Sequence, residues 1–278
     1  MRTRIRVLIP WIVAGCLLTL TGVALGASQQ GEEKLVSPDL PGPVLTPDPP
    51  AQQAAKAATL SLTDRADIFM ARKSYSDAVD YYRRALTAAG RKDPPLWNKL
   101  GIAYQQLMDY SAARKAYKEA MRLDANFAEP WNNLGTTYYL NNNAKKSIKY
   151  YRQAIKLNPM NASFHTNLGT AYYQRKKFKE AVEEYQTAIT LNPNVLTEHS
   201  SVGTVMRAGA ADARFFFLLA KVFASKGRAE EAVRYLRRAL EDGFSDQKLM
   251  DNDPDLKKIS EFPAYVELRK HPPIAIKD

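Results

Sequence analysis

An internal repeat with a period of 34 residues is the feature that most constrains how this 278-residue chain can fold. At that interval the chain carries Trp97, Trp131, His165 and His199. A Leu-Gly pair follows the first three at 100–101, 134–135 and 168–169, and a Val-Gly pair follows the fourth at 202–203. A second set at the same period combines small residues with tyrosines: Ala113, Ser147, Ala181, then Tyr117, Tyr151, Tyr185, then Ala120, Ala154, Ala188. A period of about 20 to 50 residues is typical of solenoids, in which similar units stack in a row.

The glycine within each repeat predicts a close contact between helices. Glycine inside a helix costs roughly 1 kcal/mol relative to alanine, so Gly135 requires a compensating contact. Ser147 is also small, at the matching position of the second set. We therefore predict that the helix carrying Gly135 packs against a helix near residues 144–157. The turn between two such helices needs a left-handed backbone, which Asn142 and Gly227 tolerate at that point of their repeats.

The combined pattern W-x2-L-G-x2-Y…A-x3-Y-x2-A…P resembles the tetratricopeptide repeat, a helix–turn–helix unit of about 34 residues. The resemblance implies an all-α fold, a tetratricopeptide-repeat solenoid of antiparallel helix pairs. The copies, clear in the first three cases and partial in the last two, cover 94–127, 128–161, 162–195, about 60–93 and 213–243. We predict that the solenoid spans 59–241 and that residues 242–278 form a C-terminal helical cap over the last repeat. Residues 196–212 hold the start of a repeat without its second half, so either a lone helix or a loop fits them.

The N-terminus predicts export. The basic run MRTRIR precedes 21 uncharged residues at 7–27, and Glu32 and Glu33 lie beyond them. This charge asymmetry keeps the N-terminus in the cytoplasm and delivers the remainder to an extracytoplasmic location, periplasmic or secreted. Residues 1–27 are therefore a cleaved signal peptide, a membrane anchor or a lipoprotein signal acylated at Cys16, in that order of preference. An anchor would associate with the membrane through residues 7–27.

Residues 28–58 predict a proline-rich linker, because six of the sixteen prolines lie in SPDLPGPVLTPDPP. Proline at this density resists packing. The segment is either a stalk that holds the repeats away from a membrane or a remnant without a role.

The residue types that common enzyme and metal sites require are missing. Cys16 is the single cysteine and lies in the leader, which excludes thiolate nucleophiles, thiolate metal sites and disulfides from the repeats. The phosphate-binding glycine loop and the usual hydrolase and metalloprotease motifs do not occur. The run at 251–262 lacks the glycine and the bidentate glutamate of a calcium loop, so Asp253 and Asp255 are interpreted as helix-start residues. We predict no enzymatic activity, no cofactor and no metal.

The net charge of +11 does not predict nucleic-acid binding, because export argues against that partner. Part of the excess lies on the second helix of one repeat, where Lys145, Lys149, Arg152 and Lys156 share one face. We favour an ordinary solvated outer face at these positions. The alternative is a basic stripe that touches anionic lipid headgroups.

The resemblance implies that the first helices of the repeats line a concave face. We predict that this face binds a peptide through Asn98, Gln105, Asn132, Asn133, Tyr139, Thr166, Asn167 and Tyr173. Some relatives hold an extended peptide backbone with a ladder of asparagines; Asn133 and Asn167 match that ladder, and Lys99 interrupts it. A side-chain amide both donates and accepts hydrogen bonds, which suits a peptide unit. The alternative is that asparagine at this position only stabilises the helix pair. His165 and His199 occupy the tryptophan position, which predicts a packing role for both.

These observations predict a non-enzymatic, extracytoplasmic protein–protein interaction module that binds a protein or peptide segment in its concave groove. The alternative is a structural subunit of an envelope or secretion assembly, docked through its convex face or its ends. A permanent interface should expose an apolar patch, and ARFFFLLAKVF at 213–223 is the candidate. A helix buries only part of its circumference, so at least one of Phe215, Phe216 and Phe217 should point away from the core. The oligomeric state is not predicted.

Overall fold

A computed structural model describes residues 60–196 and 212–275 of the chain. The predicted leader at 1–27, the linker at 28–58, His199 and nearly all of the segment at 196–212 lie outside the described residues. Within the described ranges the helices are α1 (Leu62–Ala71), α2 (Tyr75–Ala88), α3 (Pro94–Gln106), α4 (Tyr110–Leu123), α5 (Ala128–Leu140), α6 (Ala144–Leu157), α7 (Ala162–Gln174), α8 (Phe178–Leu191), α9 (Ala213–Ser225), α10 (Ala229–Glu241), α11 (Gln247–Asn252), α12 (Pro254–Lys257) and α13 (Pro263–Lys270). None of these helices combines the length and the apolar composition needed to cross a bilayer.

The helices from α1 to α10 pack as consecutive pairs. The odd-numbered helices up to α9 come first in their pairs and are called first helices; their even-numbered partners are called second helices. Each first helix contacts its own second helix, and each second helix contacts the first helix that follows it, including α8 with α9. No strand occurs in the described ranges. The predicted all-α solenoid of antiparallel helix pairs is confirmed.

Glycine in a first helix allows a tyrosine ring of the second helix to lie directly against its backbone. A Cβ atom at Gly135 would lie 2.7 Å from Cδ1 of Tyr151 and 3.3 Å from the carbonyl oxygen of Ser147. Tyr151 is fully buried, as are the equivalent Tyr117 and Tyr185. The predicted partner of Gly135, a helix near 144–157, is α6. A glycine is needed at this position because a side chain would overlap the ring of Tyr151, and a protein core is too closely packed to give way easily.

The turn inside each pair adopts the left-handed conformation that was predicted for Asn142 and Gly227, whose φ angles are 55° and 70°. Lys73, Met108 and Lys176 adopt the same conformation at the equivalent turns. A residue with a Cβ atom pays on the order of 1 kcal/mol there. Backbone hydrogen bonds that close the end of the preceding helix offset this cost. The turn therefore accepts residue types from which a left-handed backbone would not be predicted.

The three phenylalanines at 215–217 are all buried, with exposed fractions of 0%, 5% and 3%. The prediction that at least one of them points away from the core is wrong. The first contacts Tyr173 of the preceding repeat, the second stacks on Tyr235 of α10, and the third stacks on Phe244 beyond α10. Helix α9 is therefore covered on three sides, because the residues after α10 fold back over it.

The helices that follow α10 pack on the last repeat, α12 against α9 and α13 against α10. Asp253 begins α12, and its Oδ1 accepts hydrogen bonds from the backbone N–H groups of Asp255 and Leu256 at 3.0 and 3.2 Å. Its other oxygen pairs with Nζ of Lys221 on α9 at 2.7 Å. The predicted helix start at Asp253 is confirmed, and its charge also attaches the short helix to the repeat below.

Candidate functional site

A ladder of asparagine side chains connects three successive first helices. Nδ2 of Asn133 on α5 donates to Oδ1 of Asn98 on α3 at 2.9 Å. Nδ2 of Asn167 on α7 donates in the same way to Oδ1 of Asn132 on α5, also at 2.9 Å. Within α5, Nδ2 of Asn132 donates to Oδ1 of Asn133 at 3.2 Å, which joins the two contacts into one chain. Four of the residues predicted to bind a peptide therefore bond to one another.

The ladder gives the asparagines a structural role between repeats. Asn98 and Asn132 are buried, whereas Asn133 and Asn167 are half-buried and border the surface. The amide group of each half-buried asparagine has a second N–H that the ladder does not use. The predicted contact of these groups with a peptide stays a prediction.

Lys99 replaces the asparagine of the ladder in the preceding repeat and makes the equivalent connection with charge. Its Nζ donates to Oδ2 of Asp67 on α1 at 2.6 Å, and Oδ1 of Asp67 accepts from the hydroxyl of Tyr82. Sequence reasoning identified Lys99 as an interruption and missed Asp67. The signal that could have found Asp67 is an acid that lies about one repeat before a lysine at an asparagine position.

Gln105 joins three helices at the C-terminal end of α3. Its Oε1 accepts from the hydroxyl of Tyr117 on α4 at 3.2 Å and from Oγ1 of Thr137 on α5 at 3.1 Å. The side chain is half-buried. Gln105 thus fixes the first helix to both of its neighbours, which holds that part of the face in place.

Three of the predicted peptide-binding residues lie in the interior. Tyr139, Thr166 and Tyr173 are 7%, 1% and 5% exposed. Burial raises the pKa of Tyr139 to about 12, so its hydroxyl stays neutral. The hydroxyl of Thr166 donates to the carbonyl oxygen of Ala162 at 3.0 Å. The hydroxyl of Tyr173 donates to Asp212. Burial is the largest cause of the raised pKa of Tyr173, and the hydrogen bond to Asp212 is the second. These three side chains therefore lie in the interior, beneath the exposed residues of the first helices.

The outer part of the first-helix face is polar and nearly uncharged. Here the first-helix face means the predicted peptide-binding positions together with five neighbouring residues of α3, α5 and α7: Gln106, Glu129, Thr136, Ser163 and Gln174. Gln106, Ser163 and Gln174 are exposed, and Thr136 and Glu129 are half-buried. Glu129 is the one charged residue among these positions. Such a surface can bond to peptide groups without requiring a particular charge on the ligand.

The tryptophan position makes one repeated contact with the backbone before its helix. Nε1 of Trp97 and Nε1 of Trp131 donate to carbonyl oxygens six residues earlier, at 3.0 and 3.3 Å. Nε2 of His165 makes the corresponding contact with the carbonyl oxygen of Pro159 at 3.0 Å. Nδ1 of His165 lies 2.7 Å from Oε2 of Glu184 on α8. The predicted packing role of His165 is confirmed.

The basic residues Lys145, Lys149, Arg152 and Lys156 are exposed along α6. Nε of Arg152 donates to the hydroxyl of Tyr172 at 3.0 Å, which ties part of this stripe to α7. In the described part of the chain, no group of three or more His, Cys, Asp or Glu side chains could hold a metal ion.

Family comparisons identify the class of protein. A TPR-repeat family model matches residues 109–142 and 137–175, and two further tetratricopeptide-repeat models match 162–195 and 202–247. The chain therefore contains tetratricopeptide repeats, and the repeats constitute a protein-interaction module. Proteins of this class are generally non-catalytic scaffolds that bind protein or peptide partners.

Several solved structures are similar to part of this chain, each at less than 25% identity and with a TM-score below 0.5. A crystal structure of MamA is 23% identical, covers 64% of this chain and 93% of its own, and gives a TM-score of 0.45. MamA from Desulfovibrio magneticus RS-1 is 18% identical, with 67% and 95% covered and a TM-score of 0.46. YrrB, a TPR protein with an unusual peptide-binding site, is 16% identical, with 72% and 94% covered and a TM-score of 0.43. The comparison with curated proteins gave no match.

Proposed function

We propose that this chain is a non-enzymatic interaction module that binds an extended peptide segment along its first-helix face. The observation that carries the proposal is the asparagine ladder, which places the amides of Asn133 and Asn167 one repeat apart at the edge of the surface. The exposed neighbours Gln106, Ser163 and Gln174 continue the same neutral polar chemistry.

The ladder prepares these amides for a peptide. A peptide unit offers one N–H donor and one carbonyl acceptor, and a side-chain amide can bond to both. Because Asn133 and Asn167 are already bonded to the preceding repeat, binding costs them little further side-chain entropy. Each neutral hydrogen bond contributes about 0.5–1.5 kcal/mol net, so several along an extended segment give useful affinity.

We also propose that the module acts outside the cytoplasm, held at the membrane if the segment at 7–27 is retained. The basic MRTRIR run and the uncharged stretch that follows it support this location. An alkaline phosphatase fusion after residue 60 tests it, because that enzyme folds to its active form only after export. An inactive fusion that regains activity behind a known export signal would contradict the proposed location.

Site-specific photo-crosslinking tests the proposed peptide face. A photoreactive benzoylphenylalanine is introduced at Ser163, on the first-helix face, and in a second variant at Lys149, on α6; both positions are exposed. We expect a partner polypeptide to be captured from Ser163 and not from Lys149. Capture from Lys149 alone would move the site to the second helices and favour a structural or membrane-surface role.

Titration of the captured segment, synthesised as a peptide, measures the role of the asparagines. Asn133→Ala with Asn167→Ala should weaken binding about tenfold to a hundredfold, because two to three hydrogen bonds are lost. Lys145→Ala with Lys149→Ala, two exposed positions of α6, is the control, since it leaves the ladder and both binding amides in place and should not change the affinity. Raising the salt concentration should change the affinity little, because the face is nearly uncharged. Binding that ignores the double substitution, or that disappears in salt, would refute the proposed site.

A further inference from the structure

An open groove of about 1230 Å³ lies between α2 and α4, the second helices of the first two repeats. Helix α3 forms its floor, where Trp97, Leu100 and Tyr104 face the groove. The two aromatic rings are half-buried and lie against the core beneath them. Within the described residues neither ring contacts another aromatic side chain, whereas Trp131 and Tyr138, the equivalent residues of the next repeat, both lie beside Tyr150.

The groove is open because the ring that lies at the equivalent place in the next repeat is missing here. In the next repeat Tyr150 stacks on Tyr138 at 5.3 Å and lies 6.2 Å from Trp131. The residue 34 positions before Tyr150 is Ala116, whose methyl group ends at the groove floor. The residue 34 positions after Tyr150 is Glu184, which contacts its own His165. In these two repeats a side chain of the second helix therefore contacts the residue at the tryptophan position. In the repeat at 94–127 the equivalent residue, Ala116, is too small to do so.

The turn that leads into α3 is one residue longer than the period predicts and borders the groove. Gly90 and Arg91 both adopt left-handed backbone, with φ angles of 61° and 58°. A non-glycine residue in that conformation is uncommon and costs on the order of 1 kcal/mol or more. The carbonyl oxygen of Arg91 accepts the bond from Nε1 of Trp97 at 3.0 Å, and the Arg91 side chain lines the rim. This turn therefore bonds to an aromatic residue of the floor and contributes a cation to the rim.

The rim of the groove is basic. Five cationic side chains line it: Arg83, Arg84, Arg91, Lys115 and Arg122. Two acids, Asp80 and Glu119, line it as well, and Glu119 is paired with Arg122 at 2.9 Å. All five cations belong to exposed residues. A positive rim around an aromatic floor complements a ligand that is acidic and carries an aromatic group.

We propose that this groove is a second docking site, which binds an acidic segment of a partner protein and accepts one aromatic side chain beside Trp97 and Tyr104. The incoming ring takes the space that Tyr150 occupies in the next repeat. The acidic flanks of the segment lie between the cations of α2 and α4. The site uses α2, α4 and the side of α3 that carries Trp97, and none of its lining residues belongs to the first-helix face.

Peptide selection on the full-length chain tests this proposal. A library of random twelve-residue peptides is selected on the wild-type chain, with counter-selection on Ala116→Tyr, which is designed to place a ring where Tyr150 lies one repeat later. We expect the enriched peptides to combine several Asp or Glu residues with at least one aromatic residue. Enrichment of basic or purely aliphatic peptides, or no enrichment beyond that on Ala116→Tyr, would overturn the proposal.

Titration of the most enriched peptide then separates the ring from the charges. Ala116→Tyr should bind at least about tenfold more weakly, because aromatic anchors dominate such contacts. Ser111→Tyr, an exposed position of α4 outside the groove, is the matched control and should bind as the wild type does. The exposed pair Arg83→Glu with Lys115→Glu should also weaken binding about tenfold or more and cannot act by blocking the floor. Binding should fall as salt is added, in contrast to binding on the first-helix face.

Two further measurements distinguish other occupants. If Ala116→Tyr converts an oligomer of the chain to a monomer in sedimentation velocity, the groove holds a second copy and the proposal is wrong. If the wild type binds phosphatidylserine vesicles and Ala116→Tyr does not, the occupant is a lipid surface and the proposal is wrong as well. Unchanged sedimentation and equal vesicle binding by the two proteins support a peptide ligand.

Discussion

At the scale of single residues, the close contact between a glycine and a buried tyrosine defines each clear repeat. The same contact occurs three times, between Gly101 and Tyr117, Gly135 and Tyr151, and Gly169 and Tyr185. Conformational freedom is not what these glycines supply, since all lie inside helices. What they supply is the absence of a side chain at a position where the ring and the helix backbone meet.

Gly135→Leu should destabilise the protein by about 1–3 kcal/mol or more, because an added side chain must displace the fully buried ring of Tyr151. The midpoint of thermal unfolding, followed by circular dichroism, should fall accordingly. Ser163→Leu adds the same side chain at an exposed position of the next first helix and should change stability by no more than about 0.5 kcal/mol. An unchanged midpoint for Gly135→Leu would show that the ring can move aside without cost.

At the scale of the helix pair, the same contact between first and second helix is built from different residues. In the α5–α6 pair Trp131 lies beside Tyr150, and in the α7–α8 pair His165 bonds to Glu184. The backbone frame is shared, because both first residues also contact a carbonyl oxygen six residues earlier. The residue at the tryptophan position and the residue that it contacts on the second helix must therefore fit each other. Neither has to be one particular residue type.

His165→Trp and Glu184→Tyr should each destabilise the protein alone by about 1 kcal/mol or more, since each leaves a partly buried polar group without its partner. The double variant recreates the Trp131–Tyr150 arrangement and should recover much of that loss. Urea unfolding of the four proteins gives the coupling free energy, expected at about 0.5–3 kcal/mol. Strictly additive losses would show that the two positions act independently.

At the scale of the whole molecule, tyrosine supplies much of the interior. Tyr117, Tyr151 and Tyr185 are fully buried, and Tyr139 is nearly so. Burial raises the pKa of all four phenols, that of Tyr139 to about 12, because the phenolate would lose its hydration. Below the ordinary pKa of 10 these groups are neutral in both folded and unfolded chains, so their contribution to stability is constant.

Stability should fall steeply as the pH rises above 10. The unfolded chain then releases phenolic protons that the folded chain retains, so each buried tyrosine costs about 1.4 kcal/mol of stability per pH unit until its folded pKa is reached. Helical circular dichroism and phenolate absorbance, measured together, should change in one cooperative step after the exposed tyrosines have titrated. Phenolate absorbance that reaches its final value while the helical signal is intact would contradict the burial of these rings.

Much of the fold could be predicted because its determinants recur along the chain. The helix pair, the contact of Gly135 with α6 and the left-handed turn at Asn142 each depend on residues within one repeat, and the period carries the same determinants into the other copies. The asparagines at the predicted face were also found by position. Their mutual bonds were not, since each joins residues from neighbouring repeats, as Asn133 does with Asn98.

The sequence by itself thus determined the helices, their pairing and the polar character of the first-helix face, because spacing along a helix dictates which residues share a side. Tertiary structure alone decided which residues of other repeats, and of the segment after α10, each side chain contacts. The phenylalanines at 215–217 are buried because Phe244 and its neighbours return over α9 from outside the repeat. The groove above Ala116 exists because no neighbouring helix supplies a ring there. Contacts between distant segments, and the spaces they leave, depend on how the pairs stack, and no period in the sequence encodes them.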